Sequence, residues 1–119
     1  MLRFRFCTSS RIKDSSDFQR VFAETNYRFT RGPLILLARQ TELGVPRLGL
    51  VIRKKNLRKA FQRNLMKRLV RENFRLRQHD LPSVDIIVMS RSPIEGKSRP
   101  QIHQDIRWLL DKVAELSHG

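Results

Sequence analysis

The chain is poor in cysteine, acidic residues and long apolar runs. Its one cysteine, Cys7, can form no disulfide within the chain and cannot supply a zinc site of several thiolates. No uninterrupted apolar run exceeds five residues, which predicts neither a signal peptide nor a transmembrane helix. Acidic residues number 11 against 25 Lys and Arg, so the formal net charge is +14. A field of this size favours a polyanionic partner over a neutral small substrate.

What the chain does have is enough apolar material for one folded domain. Of its 119 residues, 39% are apolar, which supports a single modest core and predicts one domain over residues 1–119. The basic residues comprise 18 Arg and 7 Lys. Because the planar fork of arginine suits phosphates and stacked bases, the composition favours ordered nucleic acid over a membrane surface. The lone cysteine also fits a reducing, cytoplasmic setting.

The first half of the chain predicts one helix and two strands. Phe18, Val21 and Phe22 follow a run of serines at helical spacing, which indicates an amphipathic helix of about ten residues. Residues 27–39 are rich in strand formers and predict one bent strand. Residues 47–53 predict a second strand, paired with the first across an antiparallel hairpin.

The second half predicts a long helix, a buried strand and a last helix. Residues 57–79 contain neither Gly nor Pro and follow Asn56, a good N-cap, so a helix of roughly six turns is expected there. Residues 84–89 are apolar apart from Asp85, a composition that indicates a strand buried on both faces. Six apolar residues then share one face of a final helix: Ile102, Ile106, Leu109, Leu110, Val113 and Leu116. The order αββαβα predicts an α/β (α+β) two-layer sandwich with a mainly antiparallel sheet.

Most of the positive charge lies in residues 53–77. This segment has 11 basic residues and one acidic residue, Glu72. At 3.6 residues per turn, one side of the predicted helix carries a set of polar residues that we call the basic stripe: Arg63, Asn64, Lys67, Arg68, Arg71 and Arg75. Like charges four residues apart oppose helix formation, so this arrangement is typical of a surface that a polyanion neutralises. The basic stripe therefore predicts a docking surface for phosphates.

The same segment carries a recognisable motif. Its sequence, GLVIRKKNLRKAFQRNLMKRLVRENFRLRQHDLP, resembles the signature of the bacterial ribonuclease P protein component, a lysine pair followed by Arg-Asn-x-x-Lys-Arg-x-x-Arg-Glu. The lysine pair here is Lys54 and Lys55, and the remaining motif positions are Arg63, Asn64, Lys67, Arg68, Arg71 and Glu72. The segments SSDFQRVF and VDIIVMSR also look like that family, in the expected order. One departure is Leu65, where the family usually has arginine, and it puts one RNA contact in doubt.

The resemblance implies a division of labour between protein and RNA. A large RNA subunit would carry out the Mg²⁺-dependent removal of the 5′ leader from precursor tRNA, and the protein would have no catalytic residue and no metal or other cofactor of its own. The basic stripe would dock that RNA subunit. A cleft between the first helix and the sheet would hold the single-stranded leader, with Phe18, Phe22, Lys54 and Lys55 as its binding residues. Neither a membrane nor DNA is implied as a partner.

Two points stay open at the level of sequence. The spacing of Phe18 and Phe22 fits a pair of core residues as well as it fits a cleft. The basic stripe alone would also suit a structural RNA-binding protein of the ribosomal type, with no role in cleavage. A nuclease made of protein only is disfavoured, because His79, His103 and His118 lack the spacing of metal ligands and no carboxylate cluster is visible.

Overall fold

The computed structural model describes residues 11–12, 15–53, 57, 59–92 and 98–116, and the structural statements below concern these residues. In chain order, the helices and strands are α1 (Ser15–Ala23), β1 (Tyr27–Arg31), β2 (Leu34–Gln40), β3 (Arg47–Val51), α2 (Ala60–Arg77), β4 (Val84–Ser90) and α3 (Arg99–Glu115). A short 3₁₀ turn, Gln78–Asp80, follows α2.

The four strands form one mixed sheet in the order β1-β2-β4-β3. β1 pairs with β2 and β2 with β4 in antiparallel fashion, whereas β3 and β4 are parallel. A parallel pair needs a long crossover connection, and α2 is the helix within it. The predicted α+β fold with a mainly antiparallel sheet is thus confirmed.

The prediction of one bent strand over residues 27–39 was wrong. The chain reverses at Gly32 and Pro33, so that Arg31 lies opposite Leu34 and the segment forms the hairpin of β1 and β2. Gly32 has a φ of 55°, the sign that a two-residue hairpin turn with glycine first requires. The element order is therefore αβββαβα, with one strand more than the sequence patterns indicated.

The predicted antiparallel pairing of the strand at 47–53 was also wrong. β4 lies between β2 and β3, because its residues are buried on both faces and suit the centre of the sheet. The segment after β2 turns around the start of β4 instead of closing a hairpin. The backbone N–H of Thr41 donates to the carbonyl of Ser83 at 3.0 Å, and the N–H of Gly44 donates to the Ser83 hydroxyl at 2.9 Å.

Helix α2 is shorter than the predicted span of 57–79. It begins at Ala60 and ends at Arg77. Leu57 is buried ahead of the helix, and the predicted cap Asn56 lies outside the described residues. Helix α3 begins with a capping box in which Ser98 and Gln101 exchange side-chain to backbone hydrogen bonds.

Helices cover both faces of the sheet. One face carries the larger core, where alternate residues of β2 and β4, such as Leu36 and Ile86, pack against α2 and α3. The opposite face carries a smaller cluster in which Val21 of α1 packs with Leu37 and Ile87. The sheet forms one layer of the predicted two-layer sandwich, and α2 and α3 form the other. Helix α1 covers part of the opposite face of the sheet. Five of the six apolar residues predicted for the last helix are buried, and Leu116 is half-buried just beyond its end.

Candidate nucleic-acid interface

The basic stripe lies on the side of α2 that faces away from the core. Met66, Leu69, Val70 and Phe74 are buried against the sheet and α3, which orients the opposite side of the helix outward. Asn64 and Arg68 are exposed, whereas the other four stripe residues, Arg63, Lys67, Arg71 and Arg75, are half-buried. The long stems of these four cover apolar surface while their charged ends reach the solvent. The structure thus brings all six predicted residues onto one helix face.

Local contacts hold Arg63 and Arg68 of the basic stripe. Arg63 Nη1 donates to the carbonyl of Leu57 at 2.9 Å, which ties the start of α2 to the segment before it. Arg68 Nε lies 3.1 Å from Glu72 Oε1 in a pair four residues apart. Both partners of that pair are well exposed, so it contributes little to stability and can exchange for a phosphate.

A cavity of about 190 Å³ joins the basic stripe to the sheet face that α1 covers. Its wall combines an aromatic ring, apolar strand residues and three cations. The lining residues are Arg11, Ile12, Phe18, Leu48, Gly49, Leu50, Lys67 and Arg71. The structure therefore brings Phe18, predicted for leader binding, next to Lys67 and Arg71, predicted for RNA docking.

The ring of Phe18 lies directly over Gly49 in the middle of β3. A Cβ atom at position 49 would lie 2.7 Å from two ring carbons of Phe18, closer than van der Waals contact permits. Phe18 is half-buried and packs against the smaller core cluster. Glycine at this point of the strand is what permits the ring to rest on the sheet.

Phe22 has a different environment from Phe18. Its side chain is 45% exposed, and it is not among the residues that line the cavity. Ile35, Val51 and Met89 are only partly buried beside the smaller core cluster. The face of the sheet near α1 therefore keeps accessible apolar surface. Lys54 and Lys55, the other two residues predicted for this cleft, lie outside the described residues.

An ion-pair network anchors the first turn of α1 to the sheet. Arg47 makes a bidentate pair with Asp85, with Nε to Oδ1 at 2.8 Å and Nη2 to Oδ2 at 2.6 Å, and its Nη1 lies 3.5 Å from Asp17. The Asp85 side chain is almost fully buried. Its hydrogen bonds raise the pKa of Arg47, against the opposing effect of burial. Since Asp17 precedes Phe18, this network holds the backbone that carries Phe18 close to the sheet.

The described residues offer no metal site and no membrane span. Within ranges 11–12, 15–53, 57, 59–92 and 98–116, no three His, Cys, Asp or Glu side chains are placed to hold a metal ion. His103, one of the three histidines considered above, has its Nδ1 2.8 Å from the side-chain nitrogen of Asn73. No helix in the same ranges is long and apolar enough to cross a bilayer.

Arg11 and Gly49 are among the cavity-lining residues that sequence reasoning missed. Arg11 is placed by a backbone bridge next to Leu48, a long-range contact that no local pattern announces. Gly49 did leave a signal, because a glycine inside a strand often marks a close approach by another group. The glycine alone does not indicate which group approaches it. The fold shows that this group is the ring of Phe18.

Replacing Gly49 by alanine tests the contact with Phe18. The added methyl group must displace the ring, so we expect the free energy of unfolding to fall by about 1 to 3 kcal/mol. In a Phe18→Ala background, Gly49→Ala has no ring to displace. Its loss of unfolding free energy should therefore be smaller than in the unmodified chain by at least about 0.5 kcal/mol. Urea unfolding of the two single variants and the double variant measures this coupling. Strict additivity of the two losses would show that the ring does not rest on Gly49.

Comparison with known proteins gives consistent matches over nearly the whole chain. The family model described as Ribonuclease P matches residues 6–114. The chain is 43% identical over 108 residues to the ribonuclease P protein component of Chromohalobacter salexigens, covering 91% of this chain and 84% of that protein. It is 34% identical to the protein of the same name from Escherichia coli, covering 100% of this chain and 99% of that protein.

Solved structures match in fold as well. The RNase P protein of Staphylococcus aureus superposes with a TM-score of 0.76 at 29% identity, covering 91% of this chain and 94% of that one. The RNase P protein of Thermotoga maritima gives a TM-score of 0.72 at 28% identity, covering 88% and 96%.

Proposed function

Since the chain belongs to the ribonuclease P protein family, we propose that it binds the 5′ leader of precursor tRNA while its basic stripe docks the RNA subunit. The family's protein is a subunit of the tRNA-processing ribonucleoprotein endoribonuclease, in which the RNA carries out catalysis. The observation that carries the proposal is the cavity in which Phe18 adjoins Lys67 and Arg71. This junction would bring the leader, held on the aromatic wall, next to the RNA subunit docked on the cationic helix.

The charge on α2 supports docking of the RNA subunit. Lys67 and Arg71 lie one turn apart, and Arg75 follows after another turn. Such like-charged neighbours repel by a few tenths of a kcal/mol per pair in the free protein, and phosphates between them remove that cost. Release of counterions from the RNA backbone adds a favourable, salt-dependent contribution to binding.

The aromatic residues of α1 support binding of a single strand. Unpaired bases are held by aromatic rings beside positive charge, because every base has a face that can stack. Phe22 offers an exposed ring, and Phe18 offers the accessible part of a ring that also packs on Gly49. Lys54 and Lys55 belong to the same proposed cleft, on the strength of the family motif alone. The proposal covers residues 1–119 as one RNA-binding domain.

Single alanine variants of Phe18 and Phe22 should separate leader binding from packing. Phe22→Ala should weaken binding of precursor tRNA to the reconstituted holoenzyme by about 1 to 3 kcal/mol, since an exposed base platform is lost, with stability almost unchanged. Phe18→Ala should mainly lower stability, by about 3 kcal/mol, because its ring packs on the sheet. Leader specificity is measured by comparing precursor tRNA with mature tRNA.

A matched control for Phe22 is Leu43→Ala, which removes an exposed apolar side chain from the segment between β2 and β3. This variant should bind precursor and mature tRNA as the unmodified chain does. If Phe22→Ala also left the preference for precursor tRNA intact, the leader would have to lie elsewhere.

Reconstitution with purified RNA subunit and precursor tRNA tests the function as a whole. Faster cleavage at low Mg²⁺ on addition of the chain supports the proposal, in which the Mg²⁺ of the holoenzyme is held by RNA. RNA binding without faster cleavage would instead identify a structural protein of the ribosomal type. Cleavage by the chain alone would identify a protein nuclease. The proposed site of action is the cytoplasm, where bacterial precursor tRNA is made.

A further inference from the structure

Phe61 is a large apolar side chain left in solvent at the start of α2. It is 65% exposed, more than the other exposed large apolar residues of the described ranges. It belongs to neither core cluster of those ranges. A single exposed apolar side chain is common on protein surfaces, so exposure alone assigns it no role.

The position of Phe61 relative to the basic stripe is what distinguishes it. Arg68 follows seven residues later, which places it within about 20° of Phe61 around the helix and about 10 Å along the axis. Asn64 lies one turn after Phe61, near the same side. Phe61 thus occupies the amino-terminal end of the exposed edge of the stripe.

A cation lies against the ring itself. Lys59 Nζ is 5.9 Å from the ring centroid of Phe61, within the range of a cation–π contact. Since Phe61 is within a regular helix, its backbone is fixed and only two side-chain torsions remain to be ordered. A rigid aromatic ring beside positive charge is the arrangement that binds an unpaired nucleobase.

We propose that Phe61 is a stacking platform for one unpaired base of the RNase P RNA subunit, at the point where its backbone reaches the basic stripe. The inference rests on the proposed docking role of that stripe. Charge complementarity selects the occupant, because the cation of Lys59 lies against the ring and the exposed edge of the basic stripe, with Asn64 and Arg68, continues from it along α2. The base would stack on the ring while neighbouring phosphates pair with Arg68.

Three substitutions at position 61 test the stacking role. Phe61→Ala should weaken binding of the RNA subunit by about 5- to 150-fold. Phe61→Trp should retain the affinity, because the aromatic face is kept. Phe61→Leu should bind like Phe61→Ala, because an apolar chain of similar size cannot stack. The side chain is exposed, so the three variants should unfold at nearly the same urea concentration as the unmodified chain.

A fluorescence measurement gives a direct signature of stacking. Trp108 is the only tryptophan, so Phe61→Trp in a Trp108→Phe background places one fluorophore at the proposed site. Its emission should be quenched when the RNA subunit binds. Leu43→Trp in the same background is the control, because that residue is 56% exposed but lies outside α2, and its emission should change little.

The salt dependence separates this inference from the proposed function. Phe61→Ala should keep the slope of log affinity against log salt, because no phosphate contact is lost, whereas a Lys67 and Arg71 double variant should lower it. Unchanged affinity of Phe61→Ala, or full affinity of Phe61→Leu, would overturn the platform and leave the docking role intact. An unchanged slope in the double variant would overturn the docking role itself.

Discussion

Replacing Lys67 and Arg71 together by glutamine is expected to weaken binding of the RNA subunit by roughly 15- to 30-fold at physiological salt. Each lost phosphate contact should also lower the slope of log affinity against log salt by about 0.7 to 0.9. Both side chains line the cavity beside Phe18, so the same variant should impair binding of the leader. Titration of labelled RNA subunit at four salt concentrations measures affinity and slope together.

The control for this variant is Arg99 and Arg107 replaced by glutamine. Both arginines are exposed on α3, and the change removes the same two positive charges. If net charge alone governed binding, both double variants would lose affinity equally. We expect the α3 variant to keep nearly all of its affinity and slope, because α3 mixes acidic with basic residues and lies outside the proposed interface.

Removing the carboxylate of Asp85 is expected to cause the largest loss of stability. Asp85→Ala leaves Arg47 with only the 3.5 Å contact to Asp17, and breaking a buried pair in this way costs about 3 kcal/mol or more. The first turn of α1 should loosen with it, so that the position of Phe18 becomes less defined. Urea unfolding measures the loss.

The control for Asp85→Ala is Asp111→Ala. This change breaks the ion pair between Arg77 and Asp111, in which the Asp111 carboxylate is about half exposed. We expect a loss of at most about 1 kcal/mol there. Equal losses in the two variants would contradict a structural role for the buried network. The raised pKa of Arg47 contributes stability at every pH below the ordinary range of arginine, and this contribution is lost only in strongly alkaline solution.

The helices and the basic stripe were predictable from the sequence because their signals are local. Helical periodicity alone places Lys67, Arg68 and Arg71 on one side and Met66 and Leu69 on the other. The ends of α2 were less predictable, since Leu57 reads as helical but is buried as part of the preceding segment. The ends of a helix depend on which parts of the fold pack over its terminal residues. The neighbouring sequence does not contain that information.

The strand pairing and the division between the two phenylalanines were not predictable. Gly32 and Pro33 fit a bend as well as a hairpin turn, and the partner of β3 is set by a strand more than 30 residues away. Phe18 and Phe22 share one spacing pattern, yet Gly49 admits one ring to the sheet and leaves the other at the surface. The strand pairing and the different environments of the two rings depend on long-range packing, which a sequence pattern does not contain.

The most direct measurement is the affinity of precursor and mature tRNA for the RNA subunit, each determined with and without the chain. If the chain holds the leader beside the docked RNA, it should tighten binding of precursor tRNA and leave mature tRNA almost unaffected. Phe22→Ala should remove most of that preference at normal stability. Equal tightening of both tRNAs by the chain would contradict a leader-binding cleft and reduce its role to folding or screening the RNA.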